Sequence, residues 1–359
     1  MSRIRVAVLF GGVSNEHEIS LISAYNVIQN LPKDKFEIIP VGITKKGRWM
    51  FFPGDPTEIQ MGTWENNPDC TPAAIFPDPC YHGIAKIEGG GFTIKRVDVV
   101  FPVLHGKNGE DGTVQGLLEL AQLPYVGCGV LASACAMDKS IAHTILEQNG
   151  IRTARWKTVT YSDLKNLDKR CEEITAEFDF PMFVKPANGG SSVGINKANS
   201  FEELADAIQI AFSHDKKVVV EEMVAGRELE CAVLGNDIPS ASTIGEICSE
   251  SGFYDYDSKY VLSNTTLSIP ADIPAESAEK IRETALRAYA ALGCSGLSRV
   301  DFFLGEDGTV ILNEINTMPG FTPISMYPKL MNNVGVPYGE LLERLIRLAL
   351  ERSDVIISE

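Results

Sequence analysis

The feature that most restricts the fold of this chain is the segment from Leu297 to Glu314. Two β-rich runs are joined by Asp307–Gly308, a dipeptide that favours the tight turn of a hairpin. Side chains alternate along a strand, so Arg299 and Asp301 fall on one face, and Glu314 and Asn316 fall on one face of the partner strand. The set is flanked by the unusually apolar Val300, Phe302, Phe303, Ile311 and Leu312. Two carboxylates and an amide oxygen therefore converge at one place on a sheet. Such an all-oxygen set suits Mg²⁺ completed by nucleotide phosphates.

The rest of the chain can house such a site. At 359 residues, with 44% hydrophobic residues, it is long enough for two or three cores. The net charge is −16, from 32 basic and 48 acidic residues, which argues against nucleic acid as a partner. Apolar runs such as Val6–Phe10 end well short of the roughly 20 residues of a membrane span, and no cleavage signature follows the first strand, so a cytoplasmic protein without a membrane partner is expected. The eight cysteines form no C-x-x-C pair and read as free thiols. The opening Arg3–Phe10 strand, a helix over Asn15–Gln29 and a strand over Phe36–Ile43 read as a doubly wound parallel unit, with a further strand at Val97–Leu104. The segment Pro53–Gly91 reads as loops with a hairpin, and Gly129–Asn149 as one amphipathic helix. Beyond it lie two α+β units. The expected boundaries are 1–127, 128–226 and 227–359.

Two more clusters carry chemistry. The run Lys185-Pro-Ala-Asn-Gly-Gly-Ser-Ser-Val-Gly194 places an ammonium beside backbone N–H groups able to wrap a polyphosphate, although taken alone it equally suits a tight hairpin. It is not a Walker loop, because the lysine precedes the glycines. The strand end Val218-Val-Val-Glu221-Glu-Met-Val-Ala-Gly-Arg-Glu228 offers main-chain groups to a flat base and carboxylates to a ribose; alone it is a solvated sheet edge.

The order of Lys139, the Lys185 loop, Glu221 to Glu228, Arg299-x-Asp301 and Glu314-x-Asn316 resembles the ATP-grasp superfamily. Four further blocks resemble D-alanine–D-alanine ligases: Phe10-Gly-Gly-Val-Ser-Asn-Glu-His-Glu-Ile-Ser20, Leu104-His-Gly-Lys-Asn-Gly-Glu-Asp-Gly-Thr113, Tyr254-Asp-Tyr-Asp-Ser-Lys-Tyr260 and Asn316-Thr-Met-Pro-Gly-Phe-Thr322. The resemblance covers essentially the whole chain. It implies a three-domain α/β and α+β ATP-grasp enzyme that joins two D-alanines through an acyl phosphate, for peptidoglycan precursor synthesis, as a homodimer.

For particular residues the resemblance implies the following. Lys139, Lys185 and the backbone of Ser191, Ser192 and Val193 contact ATP phosphates. Glu221, Glu222, Val224 and Glu228 hold adenine and ribose, and Lys259 reaches the γ-phosphate from a lid over about 249–266. Asp301, Glu314 and Asn316 bind two Mg²⁺, with Mn²⁺ as a substitute. Glu16 pairs with the first D-alanine, beside His105 and Glu110; on its own Glu16 is merely a helix N-terminal acid. Ser191, Tyr260 and Glu16 form a loop-linking triad, and Arg299 with the Gly320 N–H stabilises the tetrahedral oxyanion. Ser325 and Met326 border the second substrate, where family members that make D-alanyl-D-serine tend to carry arginine in place of Met326, and those that make D-alanyl-D-lactate histidine in place of Tyr260. Those sister ligases, and a nucleotide-binding scaffold without catalysis, are the competing readings. A dinucleotide oxidoreductase fails for lack of G-x-G-x-x-G spacing.

Overall fold

The computed structural model describes residues 3–190, 193–249 and 265–353. Its first sheet comprises β1 (Ile4–Gly11), β2 (Phe36–Ile43), β3 (Trp49–Phe51), β4 (Thr71–Ala74), β5 (Gly83–Glu88), β6 (Gly91–Arg96) and β7 (Val99–Pro102), in the order β6-β5-β4-β3-β2-β1-β7. Val6 to Phe10 are wholly buried, as a strand covered on both faces must be, and β1 runs parallel to β2 and β7. The expected parallel sheet extends no further. The β2–β3 connection, residues 44–48, is too short for a parallel crossover, which takes a dozen or more residues, so β3 turns back antiparallel, and β4 to β6 continue in that sense. The segment read as loops with a hairpin, residues 53–91, thus supplies β4, β5 and the start of β6, preceded by a short helix, α2 (Pro56–Gln60); α1 (His17–Asn30) precedes β2, and α3 (Thr113–Leu120) follows β7.

The helix expected over Gly129–Asn149 is two helices, α4 (Val130–Met137) and α5 (Lys139–Gln148). Asp138 breaks them, with φ −85° and ψ 100°, because its carboxylate caps the second helix by accepting from the N–H groups of Ser140 and Ile141 at 3.1 and 3.2 Å. The Lys217 ammonium pairs with the same carboxylate. This break points Lys139 at the glycine loop.

The second sheet, β8 (Trp156–Thr160), β9 (Met182–Pro186), β10 (Asn196–Ala198) and β11 (Lys217–Glu222), has the order β10-β9-β11-β8 and is antiparallel throughout. It is backed by α6 (Leu167–Thr175), which periodicity did not reveal, and by α7 (Phe201–Phe212). Helix α7 buries Leu204, Ala207, Ile208 and Ala211, an i, i+3, i+4, i+7 stripe, against β9 and β11. The third sheet has the order β14-β13-β12-β15-β16, from β12 (Arg227–Gly235), β13 (Ser240–Ser249), β14 (Thr265–Ser268), β15 (Gly296–Leu304) and β16 (Val310–Asn316). Helix α8 (Ala275–Ala291) covers one of its faces; α9 (Met326–Asn333), like α2 and α6 a helix not expected, and α10 (Tyr338–Arg352) cover the other.

The first and third sheets share one apolar core. Val8 and Phe10 of β1, Leu297 of β15 and Leu345 and Ile346 of α10 belong to the same buried cluster. Arg352 ties that helix to the chain before α4, donating to the carbonyl of Gly127 and to Tyr125 O at 2.9 Å, and to the chain before β15 through Ser295 Oγ at 2.7 Å. Among the described residues no helix is long and apolar enough to cross a membrane.

All eight cysteines are free thiols. Cys128 and Cys294 hydrogen-bond to one another as thiols, which lowers the pKa of Cys128 and raises that of Cys294. Eight thiols are therefore expected to react with a disulfide reagent in the denatured, unreduced protein. A count below eight would overturn this.

Candidate active site

Three groups of side chains meet where the sheets approach one another. The first belongs to the β15–β16 hairpin and its neighbour β12. The register sets Asp301 opposite Glu314 on one side and opposite Glu230 on the other, so three acids from adjacent strands form a row on one face. Such a row is repulsive unless a cation sits within it. Arg299 supplies one, donating from Nε and Nη2 to the two oxygens of Asp301 at 2.7 Å each, with Nε also 3.0 Å from Glu230. Burial disfavours the guanidinium charge, but Asp301 and Glu230 more than offset this and raise its pKa well above the usual value. Asn316, opposite Arg299, donates its amide N–H to Asp301 at 3.1 Å, leaving its amide oxygen as the accepting atom.

Among the described residues no three His, Cys, Asp or Glu side chains form a preassembled metal cluster. The donors present are nonetheless oxygen donors on neighbouring strands, braced by one arginine, and they fit a hard divalent cation that keeps water or phosphate ligands. Glu230 escaped the sequence reading. The only signal for it was the alternation Glu228-x-Glu230 on β12, which looks like a solvated face until β15 is laid beside it.

The second group lies at the end of β9 and β11. Lys185 Nζ is 2.5 Å from one oxygen of Glu221, and His143 Nε2 is 3.0 Å from the other. Burial by itself would raise the pKa of Glu221, but the Lys185 ammonium and the His143 hydrogen bond outweigh it and hold the carboxyl well below its usual range. Lys139 donates its ammonium to Gly189 O at 2.7 Å and its backbone N–H to Ala187 O at 3.0 Å, which anchors the glycine loop to the start of α5. A small cavity lined by Lys139, His143, Asn313 and Glu314 joins this group to the first. Glu222 points away, paired with Arg155 at 2.6 Å; Val224 and Glu228 are half-buried, the former in the connection to β12 and the latter within it. Val193 closes a turn onto Gly190 O at 3.2 Å. Ser191, Ser192, Lys259 and Tyr260, and most of the expected lid, lie outside the described residues.

The third group surrounds Glu16, at the N-terminus of α1. A methyl group built on Gly106 would come within 2.7 Å of its Oε2, and one on Gly190 within 3.0 Å, so the carboxylate is held between two loops that only glycine allows so close. His105 is buried, with Nδ1 3.2 Å from Met318 O and Nε2 3.2 Å from Ser23 Oγ, which ties the first sheet's loop to the strand exit after β16. Burial pushes its pKa down, against the opposing pull of Glu16. Glu110 accepts from Gly106 N at 2.6 Å; burial, then the Glu16 charge, push it up to about 8. Gly320 lies against Ser325, whose Oγ accepts from Thr322 N at 3.0 Å. Met326 is buried in the core shared by the first and third sheets, its sulfur against Gly245.

The geometry is that of a cleft with an acidic, oxygen-donating floor, two lysines and a glycine loop on one wall, and a carboxylate at the far end. Comparison with known proteins agrees with it along the whole chain. Residues 5–128 match the model of the D-ala D-ala ligase N-terminus, and residues 145–347 that of the C-terminus. A D-alanine–D-alanine ligase of Acetivibrio thermocellus is 49% identical, covering 97% of this chain and 96% of its own, and one of Caldicellulosiruptor bescii is 48% identical, covering 98% and 97%. Among solved structures, the VanG D-Ala:D-Ser ligase of Enterococcus faecalis superposes with a TM-score of 0.89 at 43% identity, covering 97% of this chain and 100% of that one. The D-alanine–D-alanine ligase of Coxiella burnetii superposes with a TM-score of 0.84 at 35% identity, covering 98% and 96%. With both halves matched and nearly half the residues shared end to end, this chain belongs to the D-alanine–D-alanine ligase family.

Proposed function

We propose that this protein joins two D-alanines at the expense of ATP, in the cytoplasm, as a homodimer whose three lobes span 1–127, 128–226 and 227–359. The observation that supports the reading is the chain of contacts linking the three groups: Glu16 beside Gly190, Lys139 on Gly189 O, Lys185 on Glu221, and Lys139 with Glu314 on one small cavity. A carboxylate oxygen of the first D-alanine attacks the γ-phosphorus, and the bond to the β-phosphate oxygen breaks to release ADP. The amine of the second D-alanine then attacks the acyl carbon. It loses a proton, and phosphate leaves. The protein contributes position and charge, which is what phosphoryl transfer requires.

Glu16 holds the ammonium of the first substrate, with His105 and Glu110 keeping the surrounding loops in place. Lys139, Lys185 and the loop through Ser191, Ser192 and Val193 take the phosphates, and Lys259 joins them. In the structure Lys139 and Lys185 rest on Gly189 O and Glu221, so nucleotide binding exchanges those partners for phosphate oxygens. Glu221, the main chain from Glu222 to Val224, and Glu228 take adenine and ribose. Asp301, Glu314 and Asn316 hold Mg²⁺, or Mn²⁺, which neutralises phosphate charge when bound. Arg299 and the Gly320 N–H face the developing oxyanion, and Ser191 and Tyr260 link the loops over Glu16. Phosphate release with ATP and Mg²⁺, measured against D-alanine, D-serine, D-lactate and L-alanine, tests the proposal. Release with D-alanine is expected, and none with any of the four would refute it.

The structural likeness to a D-Ala:D-Ser ligase keeps D-serine as a second reading. Met326 favours D-alanine. Its thioether is surrounded by apolar side chains, and the neighbouring Ser325 hydroxyl is already shared with Thr322 Oγ1 at 2.8 Å. A serine hydroxyl unpaired there costs about 1–3 kcal/mol, roughly ten- to a hundredfold in selectivity. With equal D-alanine and D-serine, mass analysis should find mainly D-alanyl-D-alanine, and Met326→Arg should move the ratio towards serine. A product that is mostly D-alanyl-D-serine would reverse the assignment.

A further inference from the structure

We infer that His143 is a positioning residue for the nucleotide: through its Nε2–H it fixes the orientation of the Glu221 carboxylate, and so sets the affinity for ATP without entering the chemistry. The inference rests on the proposed role of Glu221 in holding the nucleoside.

Lys139, His143 and Glu147 recur every four residues along α5 and so share one face of it. Lys139 reaches the glycine loop, whereas His143 turns towards β11 and meets Glu221 at 3.0 Å. Both side chains are almost wholly buried, at 4% and 6% exposure, so this bond is not exchanged with water. The ring is held flat by Trp156, whose plane lies 18° from it with centroids 5.3 Å apart. Trp156 is in turn fixed by donating Nε1–H to Glu147 at 2.8 Å. The relay Glu147, Trp156, His143, Glu221 thus starts and turns on α5 and ends on the carboxylate that also holds Lys185.

The other ring nitrogen identifies the purpose of the arrangement. His143 Nδ1 is buried and has no hydrogen-bond partner among the described residues, so the polar engagement of the ring within the protein runs through Nε2 to Glu221. The network therefore assigns the proton to Nε2. Lys185 alone would leave the carboxylate free to swing about a point charge, because an ammonium imposes little direction. A second donor on the other oxygen fixes the plane of the carboxylate. A histidine that merely filled space would work as well as any flat ring of its size.

Two substitutions separate these roles. His143→Phe keeps the ring and the stack on Trp156 but removes the donor; His143→Gln loses the ring but places an amide N–H where Nε2–H lies. The positioning role is expected to raise KM for ATP by about tenfold or more in His143→Phe, the usual size for a hydrogen bond to a charged group, with kcat and KM for D-alanine within about twofold. His143→Gln should stay close to the unsubstituted protein. Calorimetric titration with a non-hydrolysable ATP analogue should show the same ranking, and thermal melting should show both variants folded. In a Glu221→Gln background the effect of His143→Phe should vanish, a double-mutant cycle that remains readable if one single variant is unstable. The reverse ranking, with phenylalanine tolerated and glutamine not, would overturn the inference in favour of packing. So would equal affinity in all three proteins, or an additive cycle. Failure of the unsubstituted protein to bind the analogue would instead refute the proposed function on which the inference stands.

Discussion

Glu314→Gln is expected to give a folded protein whose phosphate release in the presence of ATP, Mg²⁺ and D-alanine falls by at least about 10²–10³-fold, the usual cost of removing one preorganised charge from a developing transition state. The fold should survive because of where Glu314 sits. It ends a row of three acids across β12, β15 and β16, where its charge attracts Arg299 but also helps push Glu110 upward in pKa, and glutamine keeps the shape of the side chain, so lost attraction and relieved repulsion offset one another. Stability and turnover should separate, with an unchanged or slightly raised melting temperature and almost no activity. The same variant should bind Mn²⁺ more weakly in the presence of nucleotide. Near-normal phosphate release from folded Glu314→Gln would remove Glu314 from the proposed cation site.

Arg299→Met should do the opposite and unfold the protein more readily. Arg299 is the cation that lets Asp301 and Glu230 lie side by side in the interior, at 13% and 7% side-chain exposure. Without it two carboxylates remain buried beside one another, and losing one partner of a buried ion pair typically costs about 3–5 kcal/mol. Arg299→Lys restores the charge but not the two-pronged grip on Asp301, so it should recover much of the stability and little of the activity. Chemical denaturation together with phosphate release reads both quantities. A methionine variant as stable as the parent would contradict the view that this arginine holds the acidic row together.

Much of the cleft was legible from residue order because its parts are local. A strand, an Asp-Gly turn and a second strand form a hairpin by local rule, which brings the Asp301 and Glu314 regions together, while a one-residue bulge between Phe302 and Asp301 sets those two acids opposite one another. The final helix, Tyr338–Arg352, was equally legible from its 3.6-residue apolar stripe. The helix read over Gly129–Asn149 was not two helices by any local rule. Asp138 is compatible with a helix interior, and it leaves that conformation only because it caps α5 while Lys217, almost eighty residues later, pairs with its carboxylate. The strands between residues 49 and 96 were hidden for a similar reason. They are short, β4 to β6 carry Gly, Pro or charged residues, and they exist by pairing in turn onto β2, with β6 left at the sheet edge.

By itself, then, the order of residues determined the hairpin that carries the acids, the glycine loop after Lys185, the absence of a cysteine framework and the family resemblance, each of which depends on spacings of a few residues. Tertiary structure decided everything that depends on two distant segments meeting. It made Glu230 part of the acidic row, seated Glu16 between Gly106 and Gly190, and placed His143 against Glu221, 78 residues away in the chain. The physical reason is that a buried charge is tolerated only where partners arrive from elsewhere in the fold. A sequence displays the charge, but the partners become visible only when the sheets have come together.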